Sequence, residues 1–485
     1  MKFVLLSDLG TKPTRAGHLQ NNSRASGAHH IVQLANTHGI EATNIDYWRE
    51  WGTTLIKDSI LEWFNDDQEP WIGLSGSIDG SSTQEFKVLV HLLKEELPQL
   101  KVMLGGYRVP TGEGSWVDIA YIGRSGNIFS NWLKGEDISE YLFNINNAYP
   151  PTYKNPHGQI LEQPVAPLTK EEDFWCEHET HTVELALGCK FNCSFCGYDF
   201  RNVRNPVLLS EETLYNSLKS AYDTFGITNF VLADDTINEV DDKLILLAKV
   251  NKQLDFEPNY MAFARADVLG VQMHQIDLLK EARINVMFFG LESLNPKVTK
   301  MIRKGGKPER MLNSLREIKK EFPEAFTYGN LIMGLTGDTE ESIRDNCNII
   351  VDEQLLTSSG CNSLRLYNSL ENPEIESEID KDPEKYGYEV IGTDKEWPEL
   401  GYSSQLWKNN WTTTEEADTL SEEIDVFLGN NLESKFTAHE IHGLKTLMPN
   451  QKNSWYNDHF HLANRVRMKN VKAYIMKKSE WLLGR

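Results

Sequence analysis

Twice along this chain of 485 residues, short apolar runs with strand character alternate with longer segments of helical spacing. That alternation restricts the fold more than any other feature. Repeated strand–helix units imply parallel sheets covered by helices, with ligands held at the carboxyl ends of the strands. The first series occupies 1–140: MKFVLLSD, EATNIDYW, EPWIGLSGS, KVMLGG and VDIAYIG read as strands, with GAHHIVQLANTHG and TQEFKVLVHLLKEEL as helices between them. Its strand ends are rich in small residues, at Ser75–Gly76–Ser77, Gly105–Gly106 and Gly123–Arg124–Ser125–Gly126, where backbone can approach a ligand closely. Residues 141–178 carry many Pro and Asn and no sustained period, and read as a surface connector. The second series, within 179–375, offers six strands: HTVELALG, ITNFVLAD, PNYMAFA, INVMFFG, TYGNLIMG and NSLRLYN. Six consecutive units predict a partial (β/α)6 TIM-type barrel, open on one side, with chemistry at the strand C-termini. Residues 376–485 are mixed and then mostly helical.

The net charge of −22, from 71 acidic and 49 basic residues, argues against a broad nucleic-acid-binding face. The basic run MKNVKAYIMKK near the C-terminus reads as a solvated helix face. The first apolar run is too short for a signal peptide, and no window reaches the ~18 apolar residues of a membrane span. The expected location is the cytoplasm. Six cysteines in a reducing compartment point to metal binding or catalysis rather than a disulfide scaffold.

Half of those cysteines lie in ALGCKFNCSFCGYD: Cys189, Cys193 and Cys196 follow the first strand of the second series. Spaced three and then two residues apart, they let a short loop fold around one inorganic cluster. Three thiolates on a four-iron cube leave one iron open to a small molecule, the logic that separates catalytic from structural metal sites. A rival ligand set is CEHETH, with Cys176, His178 and His181, but in an extended segment His181 points away from the other two. Cys347 and Cys361 read as small buried hydrophobes.

This CxxxCxxC, with Phe195 before the last Cys, resembles the signature of the radical S-adenosylmethionine (SAM) superfamily, over roughly Thr182 to Tyr367. The resemblance implies a 4Fe-4S cluster on Cys189, Cys193 and Cys196 whose open iron chelates SAM. It also implies reductive cleavage of SAM to methionine and a 5′-deoxyadenosyl radical, and an external reductant such as flavodoxin or ferredoxin. By the same resemblance Phe195 packs near the adenine, and Asp234 and Asp235 in VLADDTIN stand near the SAM amino group. Arg265 in AFARAD suits the SAM carboxylate, since guanidinium pairs bidentately with carboxylate. Glu292 and Ser293 in FFGLESLNPK reach the methionyl or ribose moiety. LIMGLTGDTEES resembles a family run with Pro where this chain has Thr336.

A Rossmann-like domain ahead of such a barrel resembles the cobalamin-binding architecture of part of the superfamily. The small residues Ser75, Gly76, Gly105 and Gly126 are then candidates for the corrinoid cradle. The usual DxHxxG element is absent: around His18, Ala16 and Asn21 replace its Asp and Gly, and His29, His30 and His38 do not fit. Cobalamin-dependent methyl transfer stays open beside rearrangement, oxidation or cleavage of a substrate C–H position. A non-enzymatic iron–sulfur or zinc scaffold is the competing class.

Overall fold

The computed structural model describes residues 1–7, 23–75, 83–106, 116–122, 126–142, 152–154, 170–176, 178–197, 206–305, 307–369, 377–397 and 402–484. Strands β1 (Lys2–Leu6), β2 (Glu41–Ile45), β3 (Trp71–Ser75), β4 (Lys101–Gly106), β5 (Ile119–Ile122) and β6 (Thr152–Lys154) form one parallel sheet in the order β2-β1-β3-β4-β5-β6. Side chains alternate across it. Val4, Leu6, Ile72, Leu74, Val102 and Leu104 face the helices Thr53–Trp63 and Thr83–Glu96. Phe3, Leu5, Met103, Ile119 and Tyr121 face the helices Ser26–Thr37 and Gly126–Leu133. The strand order reverses between β1 and β3, the crevice where doubly wound sheets bind ligands. The stretch read as a connector contributes β6, whose three residues are too few to show a period.

The second sheet begins at β7 (His181–Val183), after which the chain leaves the sheet. The short strands β8 (Ala186–Leu187) and β9 (Val207–Leu208) pair antiparallel. The single strand expected over HTVELALG is therefore broken in two. Strands β10 (Asn229–Leu232), β11 (Asn259–Ala264), β12 (Ile284–Glu292), β13 (Phe326–Met333) and β14 (Ser358–Ser363) then follow β7 in sequential, wholly parallel order. This is the open six-stranded barrel. The helix Glu211–Phe225 shows how local chemistry frames each unit: Ser210 caps its start through Thr213 N–H, and Gly226, at φ 68°, ends it.

The last barrel strand is not NSLRLYN but SSGCNS. Its small polar residues give no apolar alternation, and Cys361 packs against the helix Thr414–Asn431, its thiol donating to the Ser421 carbonyl at 3.0 Å. The LYNS segment instead forms β15 (Leu366–Ser369), which with β16 (Glu389–Trp397) and β17 (Tyr402–Lys408) makes an antiparallel sheet in the order β15-β17-β16. Apart from the short helix Glu378–Lys381 and the 3-10 turn Glu384–Tyr386, the C-terminal region is helical from Thr414. Trp407 and Trp411 pack on the barrel, their indole N–H groups donating to the Leu364 and Leu335 carbonyls at 3.1 and 3.0 Å.

Two of the C-terminal helices occupy places that sequence reasoning missed. Ala438–Leu447 enters the lower barrel, packing Ile441, Leu444 and Leu447 against Met261, Val286 and Phe326. Asn453–Leu482 runs on to the first sheet, where Val471, Tyr474, Ile475 and Leu482 join its core. The basic run is accordingly not only a solvated face. Lys478 is buried and donates to Thr43 Oγ1 at 2.7 Å and to the Glu172 carbonyl at 2.9 Å.

Beside that contact lies a buried polar knot. The Arg24 side chain is 0% exposed. It donates to Glu179 at 3.2 and 2.7 Å, to Asp46 at 3.2 Å, and to the Asp173 and Phe174 carbonyls at 2.5 and 3.0 Å. Its guanidinium also lies over the rings of Trp175 and Tyr474 at 4.5 and 4.3 Å. No helix among the described residues is long and apolar enough to cross a membrane.

Candidate functional site

Gly188, at φ 98°, turns the chain out of β8 into the cysteine loop, a conformation that favours glycine. Cys189, Cys193 and Cys196 form no disulfide and are partly exposed. The ends of successive barrel strands grip the loop. After β10, the Glu239 carboxylate accepts from Lys190 N–H at 2.8 Å, and Thr236 Oγ1 lies 3.8 Å from Cys189 Sγ. After β11, Arg265 Nη1 donates to Cys193 Sγ at 3.1 Å. After β12, the Ile302 carbonyl accepts from Ser194 N–H at 3.2 Å, and the Arg303 carbonyl lies 3.8 Å from Cys193 Sγ. Burial pushes the Cys189 thiol up, so a metal that binds it displaces a proton.

Among the described residues, no three His, Cys, Asp or Glu side chains are gathered closely enough to hold one metal ion. A multi-iron cluster bonds each thiolate through a different iron and needs no such single point. The spread loop fits the cluster better than a mononuclear zinc. The CEHETH residues do not converge. Cys176 N–H donates to Glu179 at 2.9 Å and its thiol is pushed up to about 11 by burial, His178 is exposed, and His181 is packed against Trp175 with ring centroids 4.9 Å apart.

The other sequence-predicted residues divide by placement. Asp234 faces inward: it accepts from Leu185 N–H at 3.1 Å, where the first strand breaks, and pairs with Lys243 at 3.4 Å, while burial raises its carboxyl to about 6. It braces the loop's root and does not face the thiols. Asp235 stands half-buried beside Thr236, whose hydroxyl donates to its carbonyl. Arg265 engages Asp267 at 3.0 and 2.8 Å and stacks on Phe191 at 3.9 Å. Phe195 packs on the barrel core under the Lys304 ammonium, 5.9 Å from its ring. Lys304 also bonds Glu292 at 3.0 Å, and Glu292 adopts φ 64° to present that carboxylate. Ser293 donates to Asp338 at 3.2 Å.

Sequence reasoning missed Asn238, which bonds both the N–H and the carbonyl of Arg265, at 2.8 and 3.0 Å, and so fixes its backbone. It also missed Lys243, buried between Asp234 and Glu239. At Thr336 the N–H that Pro would lack donates to Tyr388 Oη at 3.0 Å, and that hydroxyl donates to the Gly334 carbonyl at 3.0 Å. The loop keeps its shape by a hydrogen bond where the family pattern uses a ring.

In the first domain, Ser75 and Gly105 are register partners at the ends of β3 and β4, and Gly126 opens the next helix. Among the described residues, nothing lies within 4 Å of a Cβ added at Gly105. Gly76, Ser77, Gly123 to Ser125, and His18 lie outside the described residues. His29 is excluded as an axial ligand, since its Nε2 is 3.1 Å from Asp46 and its Nδ1 3.7 Å from Asp173. His38 is bonded to Ser130 at 2.7 Å.

Residues 183–350 match the radical SAM superfamily. The chain is 25% identical over 161 residues to an uncharacterized methyltransferase of Pyrococcus horikoshii, an overlap that covers 33% of this chain. It spans 34% of that relative's length. Among solved structures it is similar to the radical SAM methyltransferase TsrM of Kitasatospora setae with cobalamin and a 4Fe-4S cluster bound, at a TM-score of 0.64 and 12% identity, covering 98% of this chain and 100% of that one. It is also similar to the cobalamin-dependent radical SAM enzyme OxsB with aqua-cobalamin and SAM bound, at 0.60 and 13%, covering 100% and 81%. At these identities the likeness establishes the two-domain fold.

Proposed function

We propose that this protein, a radical SAM superfamily member over residues 183–350, is an enzyme that cleaves SAM reductively and methylates a substrate carbon with a corrinoid held on its first domain. The observation that carries the reading is the loop itself: three partly exposed thiols outside any disulfide at the end of the first barrel strand, with the Arg265 guanidinium on Cys193. Cys189, Cys193 and Cys196 would hold the cluster, which when bound supplies the electron that splits SAM to methionine and a 5′-deoxyadenosyl radical. The corrinoid would supply the methyl group. The chain's own residues orient and shield. Asn238 fixes the backbone from which Arg265 projects, and Asp267 fixes the guanidinium plane. Three of the five N–H donors of Arg265 are engaged among the described residues, which leaves two for the SAM carboxylate. Lys304 and Glu292 place a charged pair beside Phe195, where the adenine and ribose would lie. The small residues Ser75 and Gly105 stand in register at the strand ends where the corrinoid would lie. A flavodoxin- or ferredoxin-type reductant of the cytoplasm would deliver the electron.

Anaerobic reconstitution tests the reading. About four iron and four sulfide per chain, 5′-deoxyadenosine from SAM under dithionite, and retained cobalamin are expected. One tetrahedral zinc without SAM cleavage would establish the scaffold alternative instead.

A further inference from the structure

The inner face of the barrel carries a second constellation below the cysteine loop. Phe263, Phe288 and Tyr328 are direct register partners on β11, β12 and β13. Their rings form a continuous row, with centroids 4.9 Å apart between Phe263 and Phe288 and 4.8 Å between Phe288 and Tyr328. His439, in the first turn of the helix that fills the lower barrel, closes the row at 5.2 Å from Phe263 and 6.2 Å from Phe288. Phe263, Phe288 and His439 are only partly buried, although core aromatics beside them are closed off. Arg265, which touches Cys193, lies two residues beyond Phe263 on the same strand face, roughly 7 Å along the strand.

The layer above the rings is polar and short. Gly290 and Gly360 stand next to Asn330 in register. Gly290 leaves its place to the Glu292 carboxylate and Gly360 to the Tyr328 hydroxyl. Aromatic rings below and hydrogen-bonding edges at the side suit a flat ring better than an aliphatic chain. The His439 ring makes no hydrogen bond to another described residue. Burial lowers its basicity to about 4, so it offers one donor and one acceptor without charge.

We infer that Phe263, Phe288 and His439 form the substrate floor, and that the substrate class is a planar aromatic bearing a hydrogen-bonding group that His439 reads. This deepens the proposed function and rests on it for the chemistry, but binding is measurable apart from turnover. The probes are 2-naphthol, its saturated counterpart decahydro-2-naphthol, and naphthalene, titrated into reconstituted holoenzyme with SAM. The wild type should bind 2-naphthol about tenfold more tightly than the saturated alcohol, the upper range for one aromatic contact. Phe288→Leu should erase that preference while leaving the saturated alcohol unchanged. His439→Phe, which keeps the ring and removes both nitrogens, should erase the preference for 2-naphthol over naphthalene. Iron content should be unchanged in both variants, which also verifies that they fold. Equal affinity for the aromatic and saturated alcohols, or an unaltered preference in Phe288→Leu, would overturn the inference in a protein that still cleaves SAM. Aromatic selectivity without iron or SAM cleavage would instead uphold the floor and remove the radical chemistry.

Discussion

Two buried arginines, one in each domain, are built from the same parts and differ in completeness. Arg24 makes five hydrogen bonds with its five N–H groups, to Glu179, Asp46 and the Asp173 and Phe174 carbonyls, under Trp175 and Tyr474. Arg265 also has a carboxylate, Asp267, and a ring, Phe191, but its third bond goes to a thiol and two donors remain among the described residues. A guanidinium whose donors are all satisfied within the protein is architecture. One that keeps donors beside a partly exposed thiol, as Arg265 does, is the one proposed to take a ligand. Burial and charge alone do not separate the two.

The comparison can be broken at its ligand first. Cys193→Ala should abolish the cluster's visible absorption and 5′-deoxyadenosine formation outright. Cys347→Ala and Cys361→Ala, which alter thiols buried in the core, should leave iron content unchanged. Loss of iron on changing Cys176 would return the CEHETH set to consideration. Nearly as large, Gly105→Trp should eliminate corrinoid retention, read from the spectrum after gel filtration, with SAM cleavage kept. Among the described residues, a Cβ added there meets nothing within 4 Å.

The arginines come next. Arg24→Met strands two buried carboxylates and should lower stability by about 3–5 kcal/mol in urea unfolding. Arg265→Met should retain iron but weaken SAM about tenfold or more, as the loss of a charge-assisted pair does. Equal stability losses in the two variants would erase the distinction between brace and ligand arm.

The smallest effect is a pH dependence. Burial opposes protonation of His29, but Asp46 and then Asp173 outweigh it and raise its pKa above the ordinary 6.5. A raised folded value gives stability that is complete below about 6.5 and lost as pH climbs through that value. The urea midpoint should fall as pH rises from about 6 toward 8, and His29→Gln should flatten the slope. Lys478, lowered to about 8 by burial, acts with the opposite sign above that pH.

Much of this was legible in the chain because it is periodic or local. Apolar alternation exposed both parallel sheets, and the cysteine spacing after a strand marked the candidate site. What stayed hidden depends on long-range pairing. Arg24 and Glu179 are 155 residues apart and nothing local marks either. SSGCNS hid as a barrel strand because its packing uses small side chains and a helix some sixty residues on. Asp234 and Asp235 are identical in type and adjacent. Only the three-dimensional position of Lys243 tells which one turns inward.

The docking of the last long helix onto the first sheet sets an order for biosynthesis. Asp46 N–H bonds the Tyr474 hydroxyl across 428 residues of chain. At about 5–20 residues per second, the ribosome needs roughly 20 to 90 s to cover that interval. For that time the emerging N-terminal sheet lacks Val471, Tyr474, Ile475 and Leu482 from its core. The first sheet therefore closes only after these distant residues have been made, and until then part of its apolar face stays uncovered.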